Sequence, residues 1–153
     1  MLSKNISSPI GPLVLTERDG ALCGLEFGET SLFHNAVPGD SPLLRQTEKE
    51  LSEYFAGTRK TFTVPVSLSD TAFQQKVWQA LTEIPYGETR SYGDIAKAIG
   101  CPKSCRAVGG ANHVNPVSII VPCHRVIGAD GSMTGYGGGV WIKEFLLKLE
   151  GIL

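Results

Sequence analysis

Residues 91–112, SYGDIAKAIGCPKSCRAVGGAN, carry two short helix signals separated by a tight turn. Ser91, with Asp94 three positions on, is a helix start; Tyr92, Ile95, Ala96 and Ile99 supply an apolar face, and Gly100 is placed as a stop. Cys101 and Pro102 form the turn. Pro102 suits a first helical turn, so the next helix is expected from Lys103 to about Asn112, with Ala107, Val108 and Ala111 inward. Two short helices joined this way read as a helix-turn-helix, although two surface helices of a bundle give the same pattern. Charge favours the first reading: residues 90–125 carry five basic groups against one acidic, whereas residues 1–66 carry six against eight.

Outward from this stretch, Thr71 with Gln74 resembles a capping box. Phe73, Val77, Leu81 and Ile84 line one face of the helix that follows, which Pro85, Tyr86 and Gly87 end. The first third reads differently. Leu13 to Thr16 and Ala21 to Phe27 form a hairpin around Glu17 to Gly20, Pro42 to Phe55 has helical spacing with Gly57 as its stop, and Phe62, Val64 and Val66 alternate as an edge strand. The fold class is therefore α/β: a small N-terminal α/β structural domain over 1–66, then a mainly helical C-terminal domain over 67–153 that contains the helix-turn-helix.

The chain has 153 residues and a formal net charge of -1. No apolar run approaches the roughly 20 residues of a membrane span, and residues 1–20 lack an apolar signal core, so a cytoplasmic protein with no membrane partner is expected. Near-neutral charge argues against a broad electrostatic coat for nucleic acid, so any DNA contact is local. Four cysteines, Cys23, Cys101, Cys105 and Cys123, are too few and too unevenly spaced for a disulfide framework, which leaves each as an inert small hydrophobe or a working thiol. The helix over 103–112 has only Lys103 and Arg106 as long side chains; Ser104, Cys105 and its glycines and alanines suit close approach to DNA better than reading of base edges.

Chemistry concentrates in residues 115–127, NPVSIIVPCHRVI, an apolar, strand-like run interrupted by Cys123, His124 and Arg125. Read alone, a Cys beside a His fits a buried inert thiol at least as well as a nucleophile. A nucleophile needs a base and a group to orient that base.

Residues 122–125, after the run 106–111 and the pair Asn115 and Pro116, resemble the signature of the O6-alkylguanine-DNA alkyltransferases, the methylated-DNA–protein-cysteine methyltransferases. The similarity continues through 135–138 and 143–150, and upstream through Phe73, Trp78, Pro85, Gly87, Ser91 and Tyr92. It spans about 71–151, whereas the first 66 residues match only in general character.

The resemblance implies a suicidal repair protein with a ribonuclease H-like N-terminal domain. It acts once on double-stranded DNA carrying O6-alkylguanine, with O4-alkylthymine as an open second substrate, after flipping the base from the minor groove. Cys123 is then the alkyl acceptor, His124 the general base through a water, Glu150 its orienter and Tyr92 the proton donor to the leaving base. Asn115 is the hinge between the helix-turn-helix and the active-site run. Tyr136, Val126 and Gly137 line the guanine pocket. Arg106 is the intercalating finger, with Ser104, Cys105, Lys103 and Tyr92 also on the DNA side. No cofactor, no metal and no obligate protein partner are expected, and the protein is expected to work as a monomer.

Asn112, His113 and Val114 depart from the family's more usual glycine-containing segment, and Cys105 stands where a small residue such as alanine is common. A zinc site from Cys101, Cys105, His113 and Cys123 matches no ordinary spacing. The rival reading is a helix-turn-helix DNA-binding alkylation sensor or regulator. Cys123 argues against a sensor, which would be expected to lack the acceptor thiol, and no oxyanion hole is legible for a Cys-His hydrolase.

Overall fold

The computed structural model describes residues 1–31, 33–133, 136 and 139–153. The chain divides into two compact units, Met1–Leu68 and Ser69–Leu153.

In the first unit, β1 (Leu2–Ile6), β2 (Leu13–Arg18), β3 (Ala21–Phe27) and β4 (Val37–Pro38) form a sheet of order β3-β2-β1-β4. The first three strands are antiparallel and β4 runs parallel to β1. The expected hairpin is β2–β3, whereas β1 was not legible because its sequence, LSKNI, alternates only weakly. Helix α1 (Pro42–Phe55) has the expected bounds. Ser41 caps it by accepting from Leu44 N, and Leu44, Thr47, Leu51 and Tyr54 repeat at helical spacing on its buried face. The strand expected over 62–66 reduces to a single bridge, Leu22 to Val66. Buried Glu50 on α1 instead accepts from Thr63 N at 2.8 Å, so a side chain holds this segment where a strand ladder would have.

The second unit holds α2 (Ala72–Thr82), β5 (Arg90–Ser91), α3 (Tyr92–Ala98), α4 (Cys105–His113), a 3-10 turn at Cys123–Arg125, β6 (Val126–Ile127) and α5 (Val140–Leu149). At α3 the capping box of Ser91 and Asp94 is reciprocal. At α2 only half of one forms: Thr71 accepts from Gln74 N, but Asp70 takes the Thr71 N–H. Helix α4 starts two residues later than expected, because residues 101–104 form a turn closed by Ser104 N on Cys101 O at 3.0 Å. Pro102 is therefore outside the helix, and Ala107 faces solvent; Val108, Ala111 and Asn112 are the buried residues of α4. Trp78 of α2 is 2 % exposed and donates its indole N–H to Ala111 O at 2.9 Å, which locks α2 to α4.

Losing the α3 cap removes a bond that no neighbour replaces. Ser91→Ala is expected to lower unfolding stability by about 1 kcal/mol. Thr71→Ala likewise strips Gln74 N of its acceptor and should cost about as much, because a carboxylate holds the cap residue's own N–H at both helices; urea unfolding of both variants checks the two losses.

Candidate active site

Apart from β6, the run 115–127 is not a strand. Asn115 closes it on itself, accepting from Val117 N through Oδ1 at 3.0 Å and donating through Nδ2 to Val121 O at 2.8 Å. Ile120 N bonds Ser118 O at 2.8 Å around Ile119, whose φ of 71° is a left-handed γ-turn that a β-branched residue adopts only under constraint. The constraint is burial, since Ile119 is 1 % exposed. Pro122, at φ -81° and ψ 65°, makes an inverse γ-turn, with Cys123 N on Val121 O at 2.8 Å, and delivers the chain into the 3-10 turn. Three residues per turn point Cys123, His124 and Arg125 in three directions, and all three are buried.

His124 is fully buried, and its Nε2 lies 2.6 Å from Glu150 Oε2. Glu150, just past α5, also accepts from Arg125 Nε at 2.8 Å, Arg125 Nη2 at 3.2 Å and Gly87 N at 3.2 Å. Gly87 sits at φ 81°, a conformation that suits glycine and turns its N–H onto the carboxylate. Arg125 donates further to Ile84 O at 2.7 Å and stacks over the Tyr86 ring at 5.7 Å. Arg125, one of the five basic groups of residues 90–125, is the buried counterion of Glu150 and not part of a surface charge. Its presence means that His124 need not be charged. Burial pushes the imidazole pKa below its ordinary 6.5, against the pull of Glu150. Neutral His124 then donates Nε2–H to Glu150 and keeps its lone pair on Nδ1, which has no protein partner among the described residues.

Burial also pushes the Cys123 thiol up, while hydrogen bonds with Asn115, Tyr136 and Ser118 and the charge of Lys143 oppose the rise without reversing it. The resting thiol is therefore protonated and needs a base. Ser118 and Lys143 were missed in the sequence. Lys143 is fully buried, and its Nζ donates to Val126 O at 2.5 Å. Its signal was the seven-residue spacing to Glu150, which aligns Lys143 of α5 with the residue that caps the helix.

The other expected residues divide clearly. Parallel pairing of Arg90 with Val126 and Ser91 with Ile127 sets Tyr92, the first residue of α3, beside the 3-10 turn. Burial, then the Cys123 charge, raises the Tyr92 pKa and keeps its hydroxyl a donor, and its ring approaches Gly109 of α4. Tyr136 is buried, and Val126 supplies the carbonyl that Lys143 holds. Lys103, Cys105 and Arg106 are exposed and Ser104 is partly so, all at the start of α4. Gly137 lies outside the described residues.

Two family models together match almost the whole chain: the 6-O-methylguanine DNA methyltransferase ribonuclease-like domain over residues 1–68, and the DNA binding domain of the same family over 72–152. The chain belongs to the 6-O-methylguanine DNA methyltransferase family. A methylated-DNA–protein-cysteine methyltransferase of Methanosarcina acetivorans is 52 % identical over 150 residues, covering 94 % of each chain. The constitutive enzyme of that name from Bacillus subtilis is 47 % identical, covering 95 % of this chain and 92 % of its own. Mycobacterium tuberculosis OGT, solved in complex with DNA, superposes with a TM-score of 0.92 at 50 % identity, over 98 % of this chain and 92 % of that one. The α/β expectation holds, with the ribonuclease-like half first.

The charge ledger of this methyltransferase site can be perturbed directly. In the wild type the depressed His124 pKa gives stability that is full above 6.5 and is lost as pH falls toward the lower folded value. Arg125→Met strands Glu150 and should cost about 3–5 kcal/mol at neutral pH. It also removes a cation that lowers the His124 pKa. The His124 titration, followed by ring-proton NMR, should move to higher pH, so that part of the lost stability returns as pH falls.

Proposed function

We propose that the protein repairs O6-alkylguanine in double-stranded DNA by moving the alkyl group irreversibly onto Cys123, once per molecule. The observation that carries this reading is buried His124, next in the chain after buried Cys123, with its Nε2 held by Glu150, Glu150 held by Arg125, and its Nδ1 open. In this mechanism His124 takes the thiol proton through a bridging water. The sulfur attacks the alkyl carbon as the bond from that carbon to O6 breaks. Tyr92 donates a proton to the departing guanine and regains one from the His124 imidazolium through solvent, and Glu150 stabilises the imidazolium until then. Asn115, Ser118, Tyr136 and Lys143 soften the charge on sulfur.

Reaching the base requires flipping it. Arg106, exposed in the first turn of α4, is suited to fill the gap from the minor groove, with Lys103, Ser104 and Cys105 around it. Tyr136, Val126 and Gly137 would line the pocket. On this reading residues 67–153 bind DNA and react, and residues 1–66 support them. The protein would work as a monomer without an obligate partner or cofactor. DNA as substrate and four free cysteines argue for the reducing cytoplasm. Among the described residues no helix is long and apolar enough to cross a membrane.

His124→Ala and Glu150→Ala are expected to slow single-turnover transfer by about 100-fold or more, the usual scale of a lost general base, while changing DNA affinity little. Rapid-quench transfer assays beside binding titrations test this. Parallel loss of both would make the pair structural.

A further inference from the structure

Strand β1 has one flank that is only half covered. It pairs with β2 from Leu2 to Ile6, whereas β4 reaches only Leu2 and Ser3. Met1 O and Ser3 O accept from Val37 N and Gly39 N at 2.9 Å each, so the odd residues present their backbone to that flank. Strand alternation turns the N–H and C=O of Asn5 the same way, and among the described residues no strand meets them. The Asn5 side chain is engaged elsewhere, with Glu29 O at 3.2 Å. Pro38 and the two-residue length of β4 guard the edge beside Leu2 and Ser3, and that guard stops short of Asn5. The even residues Lys4 and Ile6 line a groove of about 730 Å³ together with α1. Its floor is apolar, formed by Ile6, Leu51 and half-buried Phe55, and its rim carries Lys4, Arg45 and Lys49 against one acid, Glu48. Lys4 answers Glu48 at 2.8 Å, and Asp40 bonds Lys4 and Arg45 at 3.3 and 3.2 Å. Lys49 is exposed and has no ion pair among the described residues.

We propose that the groove between β1 and α1 docks a partner protein through an extended acidic segment, which adds a short strand to β1 at Asn5 and lays an apolar side chain over Ile6, Leu51 and Phe55. Strand addition takes its affinity from main-chain hydrogen bonds and its specificity from pockets for alternate side chains. Side chains two residues apart share one face of a strand, as those of Lys4 and Ile6 do. The segment that fits therefore carries an acid and a bulky apolar residue with one residue between them, the acid toward Lys4 and Lys49 and the apolar residue toward Ile6. The apolar floor and Glu48 on the rim disfavour a nucleic-acid backbone here. Every lining residue belongs to the first unit, so this surface is separate from the residues assigned to DNA and to alkyl transfer.

The test titrates the full chain, followed by amide NMR, with the acetylated and amidated peptide Asp-Thr-Leu-Thr-Asp, whose pattern reads the same in both chain directions. Saturable shifts are expected at Asn5, Ile6 and Ser7 and along the groove side of α1. Lys-Thr-Leu-Thr-Lys and Asp-Thr-Ser-Thr-Asp should each bind about tenfold more weakly or worse, having lost the charge match or the apolar anchor. Lys49→Glu should weaken the first peptide by a similar factor. Asn5→Pro, which removes the edge N–H, should weaken it as well, whereas Asn5→Ala, which keeps that N–H, should not. The same peptide N-methylated along its backbone repeats the ladder test on the unaltered protein, so it stands even where Asn5→Pro fails to fold. Equal binding of the three peptides, binding that survives both Asn5→Pro and N-methylation, or no saturable shift at Asn5 would overturn the proposal. Shifts at Asn5 on concentrating the protein alone would overturn it too, and assign the edge to a second copy of this chain. None of these readouts depends on alkyl transfer.

Discussion

Glu150 is buried just beyond the C-terminus of α5, where the helix's own carbonyls disfavour a carboxylate. It is tolerable there because Arg125 binds it through two nitrogens, Gly87 offers a backbone N–H and His124 offers Nε2. Most of the second unit follows from that requirement. The loop after α2 must present Gly87 at positive φ, the 3-10 turn must place His124 and Arg125 on one carboxylate, and α5 must end where it does. The same stripe of α5 carries Lys143 to the Val126 carbonyl, so one helix face supports both His124 and the surroundings of Cys123.

Burial acts on Cys123 and His124 in complementary ways. It keeps the thiol protonated and the imidazole neutral, so neither is charged at rest. A low-dielectric pocket then costs little to assemble, and charge appears only when the proton moves. Arg125 makes this possible by satisfying Glu150 beforehand; without it the carboxylate would draw a proton onto His124.

Local signals in the sequence were legible where one short stretch decides the outcome. Helix α1 emerged from its apolar spacing and Gly57, the β2–β3 hairpin from its turn residues, and the cap of α3 from Ser91 and Asp94. The family motif singled out His124 and Glu150, which lie hydrogen-bonded although 26 residues separate them. What stayed hidden depends on partners distant in the chain. Arg125 reads as one more surface cation until Glu150 and the Ile84 carbonyl are seen beside it. The apolar run 117–121 looks like a strand, because no local cue shows that the Asn115 side chain will take the backbone bonds a sheet would otherwise supply. The late start of α4 turns on a single hydrogen bond, from Ser104 N to Cys101 O.

The central claim is that Cys123 keeps what it removes. Intact-mass spectrometry after incubation with excess duplex containing O6-methylguanine measures this directly, with peptide mapping to locate the adduct. The account predicts one methyl group per chain, on Cys123, with an equal amount of guanine restored and no adduct in Cys123→Ser. Repeated turnover that leaves the protein mass unchanged, or a methyl group on Cys23, Cys101 or Cys105, would contradict it.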